Sequence, residues 1–352
     1  MIECIFTLDY EIYGSGEGSL RDLVYEPAET LRRLFVRHGV RFVPFVEAAE
    51  LEIIEAHGAD PAIDLVKAQL RMLHDTGFSL GLHLHPQWYN GRRENGRWLL
   101  DGSEYNLCTL PRPRLRQLVE RSLAYLRTVV RDLRFTPVAF RAGNWLFQPT
   151  RVAAEVLAEC GIRIDSSVFK GGVRHEHGLD YRRAAKNGYF WRFAAEVDVA
   201  DPSGELIEMP IYTRMVPFWK MGTSKRLAME RQNVGTRALG PKSFYRLLDL
   251  SRVWHPLKFD FCRMTLDELK EMLGAAIDED RRDPVLTRPL VAIGHTKELV
   301  DFDTIDGLLS WLAANHIKVS TFDDVYERCA ALTESRPDSN LRSTRAHAES
   351  AG

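Results

Sequence analysis

Two histidines separated by one leucine close an apolar run, Gly81-Leu82-His83-Leu84-His85-Pro86. In an extended strand, residues i and i+2 share a face, so His83 and His85 can grip one divalent ion together. A carboxylate pair with the same spacing, Asp9 and Glu11, follows the apolar run 2–8. Three further runs deliver reactive side chains: 138–140 leads to Arg141, 162–164 to Asp165 and 289–293 to His295. Two imidazoles and one carboxylate, with a position left open for water, make a hydrolytic metal site, and Zn²⁺ is its simplest occupant. Either Asp9 or Glu11 can be the ligand; a second carboxylate can take a proton from the attacking water. His295 can protonate a leaving amine or alcohol. Arg141 can orient a carboxylate through its two-pronged guanidinium.

These residues are far apart in sequence, so the fold must bring strand ends together. Helical patterns over 27–38, 61–76, 113–134, 150–160, 266–278 and 303–315 alternate with strand-like runs at 2–8, 40–46, 77–82, 138–140, 162–164, 206–210, 289–293 and 317–320. That alternation predicts a parallel α/β arrangement, in which functional residues gather at strand C-termini. Pro113 suits an early helical position, Thr150 and Thr265 suit helix caps, and Asn90-Gly91 and Asn95-Gly96 are turn signals for a short hairpin within 88–110. The loop Gly14-Ser15-Gly16-Glu17-Gly18 lacks the Gly-Lys-Ser/Thr ending of a phosphate-binding loop and reads as a flexible connection.

The 352 residues, 45% hydrophobic and 27% charged, suffice for one large core. A net charge of −2 argues against a general nucleic-acid binder. Cys4, Cys108, Cys160, Cys262 and Cys329 show no Cys-x-x-Cys spacing and read as reduced thiols. The N-terminus lacks a basic, apolar leader and no apolar run approaches a bilayer span, so the expectation is a cytoplasmic protein. Segment 214–263 stands apart: eleven Lys and Arg against three acids, interleaved with Trp219, Phe244, Tyr245, Trp254 and Phe259. It reads as an insertion that either covers the barrel edge, binds an anionic glycan or rests on anionic lipid. Residues 333–352 are polar and aperiodic, which predicts a disordered tail after a 1–332 domain.

Taken in order, the motifs resemble those of the polysaccharide deacetylases of the NodB-homology superfamily, carbohydrate esterase family 4 and relatives. Thr7-Leu8-Asp9-Tyr10-Glu11 is similar to the family's Thr-Phe-Asp-Asp motif, and His83-Leu84-His85 to its histidine motif. Phe140-Arg141-Ala142-Gly143, Ile164-Asp165-Ser166-Ser167 and Ile293-Gly294-His295 are similar to the later motifs. The chain departs at Tyr10, where the family has a second Asp, and at Gln87, where it has the second His, so it resembles a D-x-E/H-x-H branch. The resemblance implies a distorted (β/α)-barrel of about seven parallel strands, with Asp9 as catalytic base and Arg141 as its tether. It also implies that His83 and His85 hold the metal with Glu11, and that His295 is the general acid, oriented by Asp165. The implied activity is metal-dependent removal of an N-acetyl or other N-acyl group from a sugar, polysaccharide precursor or nucleotide- or lipid-linked sugar. Other C–N hydrolysis, by a deformylase or an allantoinase-like amidohydrolase, and an inactive glycan-binding barrel are the alternatives.

Overall fold

The computed structural model describes residues 1–223, 225–226 and 252–334. Nine strands form its main sheet: β1 (Ile2–Tyr10), β2 (Val43–Glu47), β3 (Gly81–Leu84), β4 (Ala139–Ala142), β5 (Ile164–Asp165), β6 (Trp191–Phe193), β7 (Leu206–Glu208), β8 (Arg288–His295) and β9 (Lys318–Val319). Their order is β6-β7-β5-β4-β3-β2-β1-β8, with β9 beside the start of β1. Seven consecutive strands of this path, β7 to β8, pair in parallel, and β6 adds an antiparallel edge. The sheet curls until the chain after β7 meets β8, where Tyr212 N donates to Val291 O (2.9 Å). Parallel bridges Ile211–Val291 and Asp260–Ile293 mark this closure. The expected distorted (β/α)-barrel is therefore the observed fold.

Helices α1 (Glu26–Arg37), α2 (Ala48–Ala56), α3 (Ile63–Asp75), α4 (Arg112–Val130), α5 (Arg151–Glu159), α6 (Leu266–Arg282), α7 (Phe302–Ala314) and α8 (Phe322–Glu334) accompany the sheet. All nine residues of β1 are buried, as both faces of a parallel sheet must be. Even-numbered Phe6 packs edge-to-face on Phe35 of α1 at 5.3 Å, and Phe35 on Phe42 at 5.2 Å. Odd-numbered Ile5 turns the other way and joins Val43, Phe45, Ala139, Ile164, Ile207 and Val291 in the barrel interior, which Phe322, Val325 and Cys329 of α8 close. This two-residue alternation decides which strand-end side chains enter the site.

Several local expectations resolve differently. α2 follows β2 without a break and was not expected. Thr150 does not cap α5; its hydroxyl donates to Phe147 O (2.7 Å) because its backbone is already helical. Thr265 does cap α6, in a capping box with Glu268. Asn95 and Gly96, both at positive φ, turn the hairpin Arg92–Glu94/Arg97–Leu99. The basic segment opens and ends as the hairpin Thr213–Pro217/Trp254–Lys258, while its centre, with Phe244 and Tyr245, lies outside the described residues. α8 runs through Glu334, past the expected boundary at 333; the remainder of the predicted tail lies outside the described residues. The five cysteines form no disulfide. Among the described residues no helix is long and apolar enough to cross a membrane.

Candidate active site

The C-terminal ends of seven parallel strands each carry an ionisable side chain: Asp9, Glu47, His83, Arg141, Asp165, Glu208 and His295. Register aligns them across the sheet, with Asp9 beside His295, Glu47 beside His83 and His83 beside Arg141. Side-chain direction then sorts them.

Asp9, Glu11, Glu47, His83, His85, Arg141 and His295 converge. Glu11 Oε2 lies 3.4 Å from His83 Nε2 and 3.1 Å from His85 Nε2. Its other oxygen accepts from Lys297 Nζ at 2.7 Å, so one oxygen is anchored while the second faces the imidazoles. Donor atoms of Glu11, Glu47, His83 and His85 all lie within 4.8 Å of one another, and all four residues are buried. Tyr10 points outward to Gln69 Oε1 (2.6 Å) and cannot act as a ligand.

This set fits a divalent ion. His83 Nδ1 faces the Arg141 carbonyl at 2.9 Å; a carbonyl only accepts, so Nδ1 carries a proton and Nε2 is the nitrogen that would meet an ion once its own proton is displaced. His85 Nδ1 sits 3.2 Å from the Asn144 amide and 3.4 Å from that of Gln87, whose buried Oε1 has no partner. Turning both amides over would give their oxygens the Nδ1–H of His85 and leave its Nε2 a lone pair. Burial disfavours charge on His83, but Asp9, Glu11 and Glu47 outweigh it and raise its pKa to about 9. Burial pushes Glu47 up to about 8 against the attraction of His83, with Glu11 adding to the rise. Glu11 is held well below the usual range: burial acts against ionisation, and Lys297 and His85 overcome it. At neutral pH these shifts leave a proton on Glu47 and a second proton on His83, and a divalent ion would take the place of both, with two carboxylates and two neutral imidazoles as its donors.

Asp9 occupies a separate position beside this cluster. Arg141 Nη1 donates to Asp9 Oδ1 at 2.5 Å, and Asp9 Oδ2 lies 3.4 Å from His295 Nε2. Burial alone would raise the Asp9 pKa; Arg141, His83 and His295 together bring it below the ordinary value. Arg141 is wholly buried, donates also to Thr7 Oγ1 (2.9 Å), Ser166 O (2.9 Å) and Ser166 Oγ (3.3 Å), and stacks over Phe45 at 4.2 Å. Its fork is thus fixed from three strands. Arg141 thus stands against Asp9, where a tether would stand.

Asp165 does not orient His295. Ile164 points into the barrel, so Asp165 points out, where it accepts from Ser167 Oγ (2.7 Å) and faces buried Glu208. Burial raises the pKa of both carboxyls, and both lie outside the cluster around Glu11. Ser167 Oγ in turn accepts from Ala142 N (2.8 Å), bracing the strand end that carries Arg141. On its other nitrogen, Nδ1, His295 faces Glu298 Oε2 at 3.4 Å, and Arg263 Nε donates to that same oxygen at 2.8 Å. Lys297 and Glu298 belong to the turn after His295, and Glu47 to the end of β2; none was singled out from sequence. Glu47 did carry the signal used elsewhere, an ionisable residue closing an apolar run. It also caps α2 through Ala49 N (3.2 Å) and holds His85 N at 2.6 Å.

Gly143 lets His85 into place. A Cβ there would stand 2.7 Å from the His85 ring and 2.8 Å from Leu84 O. Gly143→Ala is expected to cost about 1–3 kcal/mol in urea unfolding and to weaken divalent-metal binding measured by chelator competition. Unchanged metal affinity would show that His85 tolerates displacement. A cavity of about 820 Å³ is lined by Lys170, Tyr189, Tyr212 and Arg288, among others, and includes none of these groups.

No protein-family model and no curated protein matches the sequence. Solved structures do share the fold. A Mycobacterium smegmatis protein assigned as a polysaccharide deacetylase aligns with a TM-score of 0.51 at 15% identity, over 96% of this chain and 94% of the other. A Pseudomonas aeruginosa protein assigned likewise gives 0.52 at 11% identity, over 95% and 93%. PuuE allantoinase gives 0.51 at 12% identity, over 95% and 92%. At such identities the likeness concerns architecture: the chain has the (β/α)-barrel fold found in NodB-like deacetylases.

Proposed function

We propose that the protein is a divalent-metal-dependent hydrolase that removes an N-acetyl or related N-acyl group from an amino sugar, in a glycan or a glycan precursor. The observation that carries this reading is the Asp9 carboxylate, poised between Arg141 and His295 and adjacent to the Glu11–His83–His85 cluster. A divalent ion held by Glu11, His83 and His85, with Glu47 close by, would polarise the acyl carbonyl and acidify a water, and zinc suits the nitrogen and oxygen donors. Asp9, kept ionised by Arg141, accepts the proton of the attacking water. His295 delivers a proton from Nε2 to the departing amine, while Glu298, itself held by Arg263, stabilises the charged imidazole from Nδ1. The excess positive charge of 214–263 supports a nucleotide- or lipid-linked sugar as substrate, met in the cytoplasm.

The test is acetate release from N-acetylated sugars by purified protein, alongside metal analysis. Wild type is expected to carry about one divalent ion and to lose activity on chelation; His83→Ala is expected to lose both. Turnover of ureides or formamides without acetate release would move the protein to the second reading, which the allantoinase of equal structural similarity favours. Metal-free protein with unchanged sugar binding in His83→Ala would sink the hydrolase.

A further inference from the structure

Beside His295, the structure holds a cation without an anion. Trp145 sets its ring edge-on to the His295 imidazole, 6.1 Å between centres at 87°. It reaches that place through two successive left-handed residues, Asn144 (φ 55°) and Trp145 (φ 60°), a backbone that costs free energy in non-glycine residues. Lys258 Nζ lies 3.4 Å from the centre of the same indole and 5.2 Å from that of Phe169, and the Arg174 guanidinium carbon lies 4.9 Å from the indole centre. Among the described residues, Lys258 Nζ has these ring contacts and no hydrogen bond or ion pair. The indole Nε1 of Trp145 is buried and likewise lacks an acceptor.

Nearby carboxylates are engaged elsewhere. Asp260 accepts from the backbone N–H groups of Cys262 (3.0 Å) and Arg263 (3.1 Å), and Glu298 is committed to Arg263 and His295. Half-buried ammonium groups normally satisfy their three donors, since an unmet charge in a poorly solvated place is costly. Burial first, then Arg174 and Arg263, pull the Lys258 ammonium down to about 7 against the attraction of Asp260 and Glu298, and a docked anion would relieve that strain.

We infer that Lys258, with Arg174 beside it over Trp145, forms an anion subsite next to His295 that takes a carboxylate or phosphoryl substituent of the sugar undergoing deacylation. This rests on the deacylase reading for the identity of the ligand, and on the Lys258–Trp145–Arg174 geometry for its charge. An ammonium with open donors forms charge-assisted bonds to either anion, whereas a neutral hydroxyl leaves the charge uncompensated. The subsite would thus select charged over neutral sugars and anchor them on the acid side of the site.

The experiment compares N-acetylglucosamine, its 6-phosphate and the corresponding N-acetylated uronic acid with metal-loaded protein, by calorimetric binding and by acetate release. Wild type is expected to prefer at least one anionic sugar by about tenfold or more, the phosphate and uronate arms identifying which. Lys258→Met should bring the ratio near one, and Lys258→Arg should retain most of it. Metal content serves as control, because a preference arising from phosphate on the metal would survive in Lys258→Met. Should Lys258→Met not fold, Arg174→Gln supplies the comparison and is expected to reduce the ratio. Equal handling of neutral and anionic sugars by wild type, or a preference that persists in Lys258→Met, overturns the subsite even if acetate is released. Lys258-dependent anion binding without acetate release keeps the subsite and overturns the deacylase.

Discussion

Asp9→Asn is expected to lower kcat for deacylation by about 100- to 10,000-fold while leaving the bound divalent metal in place. The two carboxylates at i and i+2 are interchangeable by residue type, and their surroundings divide the work. Asp9 spends one oxygen on Arg141 and turns the other to His295 at 3.4 Å, whereas Glu11 turns its free oxygen to both imidazoles. Asparagine preserves the shape, still accepts from Arg141, and cannot take a proton. Glu11→Gln removes a charged ligand and should lose metal together with activity. Metal analysis on the two variants therefore separates base from ligand. Full activity in Asp9→Asn would hand the proton to another carboxylate, such as Glu47. Loss of metal in Asp9→Asn and its retention in Glu11→Gln would exchange the two assignments.

The parts of this site that could be read in the sequence are those governed by local periodicity. His83 and His85 stand on one face of β3, as Asp9 and Glu11 do at the end of β1, because a two-residue spacing is enough to place them. Arg141 and His295 were legible as residues closing apolar runs in an alternating α/β chain. The barrel itself follows from the same alternation. Asp165 could not be placed in this way: β5 is only two residues long, and with so short a run the inward face cannot be told from pattern. The structure turns Ile164 and Ser166 inward, and Ser166 supplies two acceptors to Arg141. Lys297 and Glu298 were hidden because their role depends on closure of β1 on β8, which brings the turn after His295 to within 2.7 Å of Glu11. No spacing along the chain encodes that contact. The charge of the basic segment was visible in composition, but not that one of its lysines, Lys258, stands over Trp145.

Arg141→Met is expected to destabilise the protein by about 3–5 kcal/mol at neutral pH and to reverse the sign of its pH dependence at this site. In the wild type the guanidinium serves Asp9, Thr7 and Ser166 from a fully buried position. Methionine fills a similar volume and still packs on Phe45, so the loss is chiefly that of charge and donors. In the wild type the Asp9 pKa is depressed. Its ionised form thus contributes stability above the unfolded value of about 4, and that contribution fades as pH falls through the folded value. Without Arg141, burial becomes the dominant influence and lifts the folded pKa above the unfolded one. The Asp9 contribution then becomes a penalty that grows as pH rises from about 4 towards the new folded pKa. Urea unfolding of wild type and variant between pH 4 and 8, with chelator present, measures the difference directly. The gap between the two proteins should widen with pH, and the acidic limb of any residual pH–rate profile should move upward as the base becomes harder to ionise. A constant gap would mean that Arg141 acts through Thr7 and Ser166 alone, and that the charge of Asp9 is held by something other than this guanidinium. Arg141→Lys separates the two contributions, since it restores the charge near Asp9 but cannot span Asp9, Thr7 and Ser166 at once.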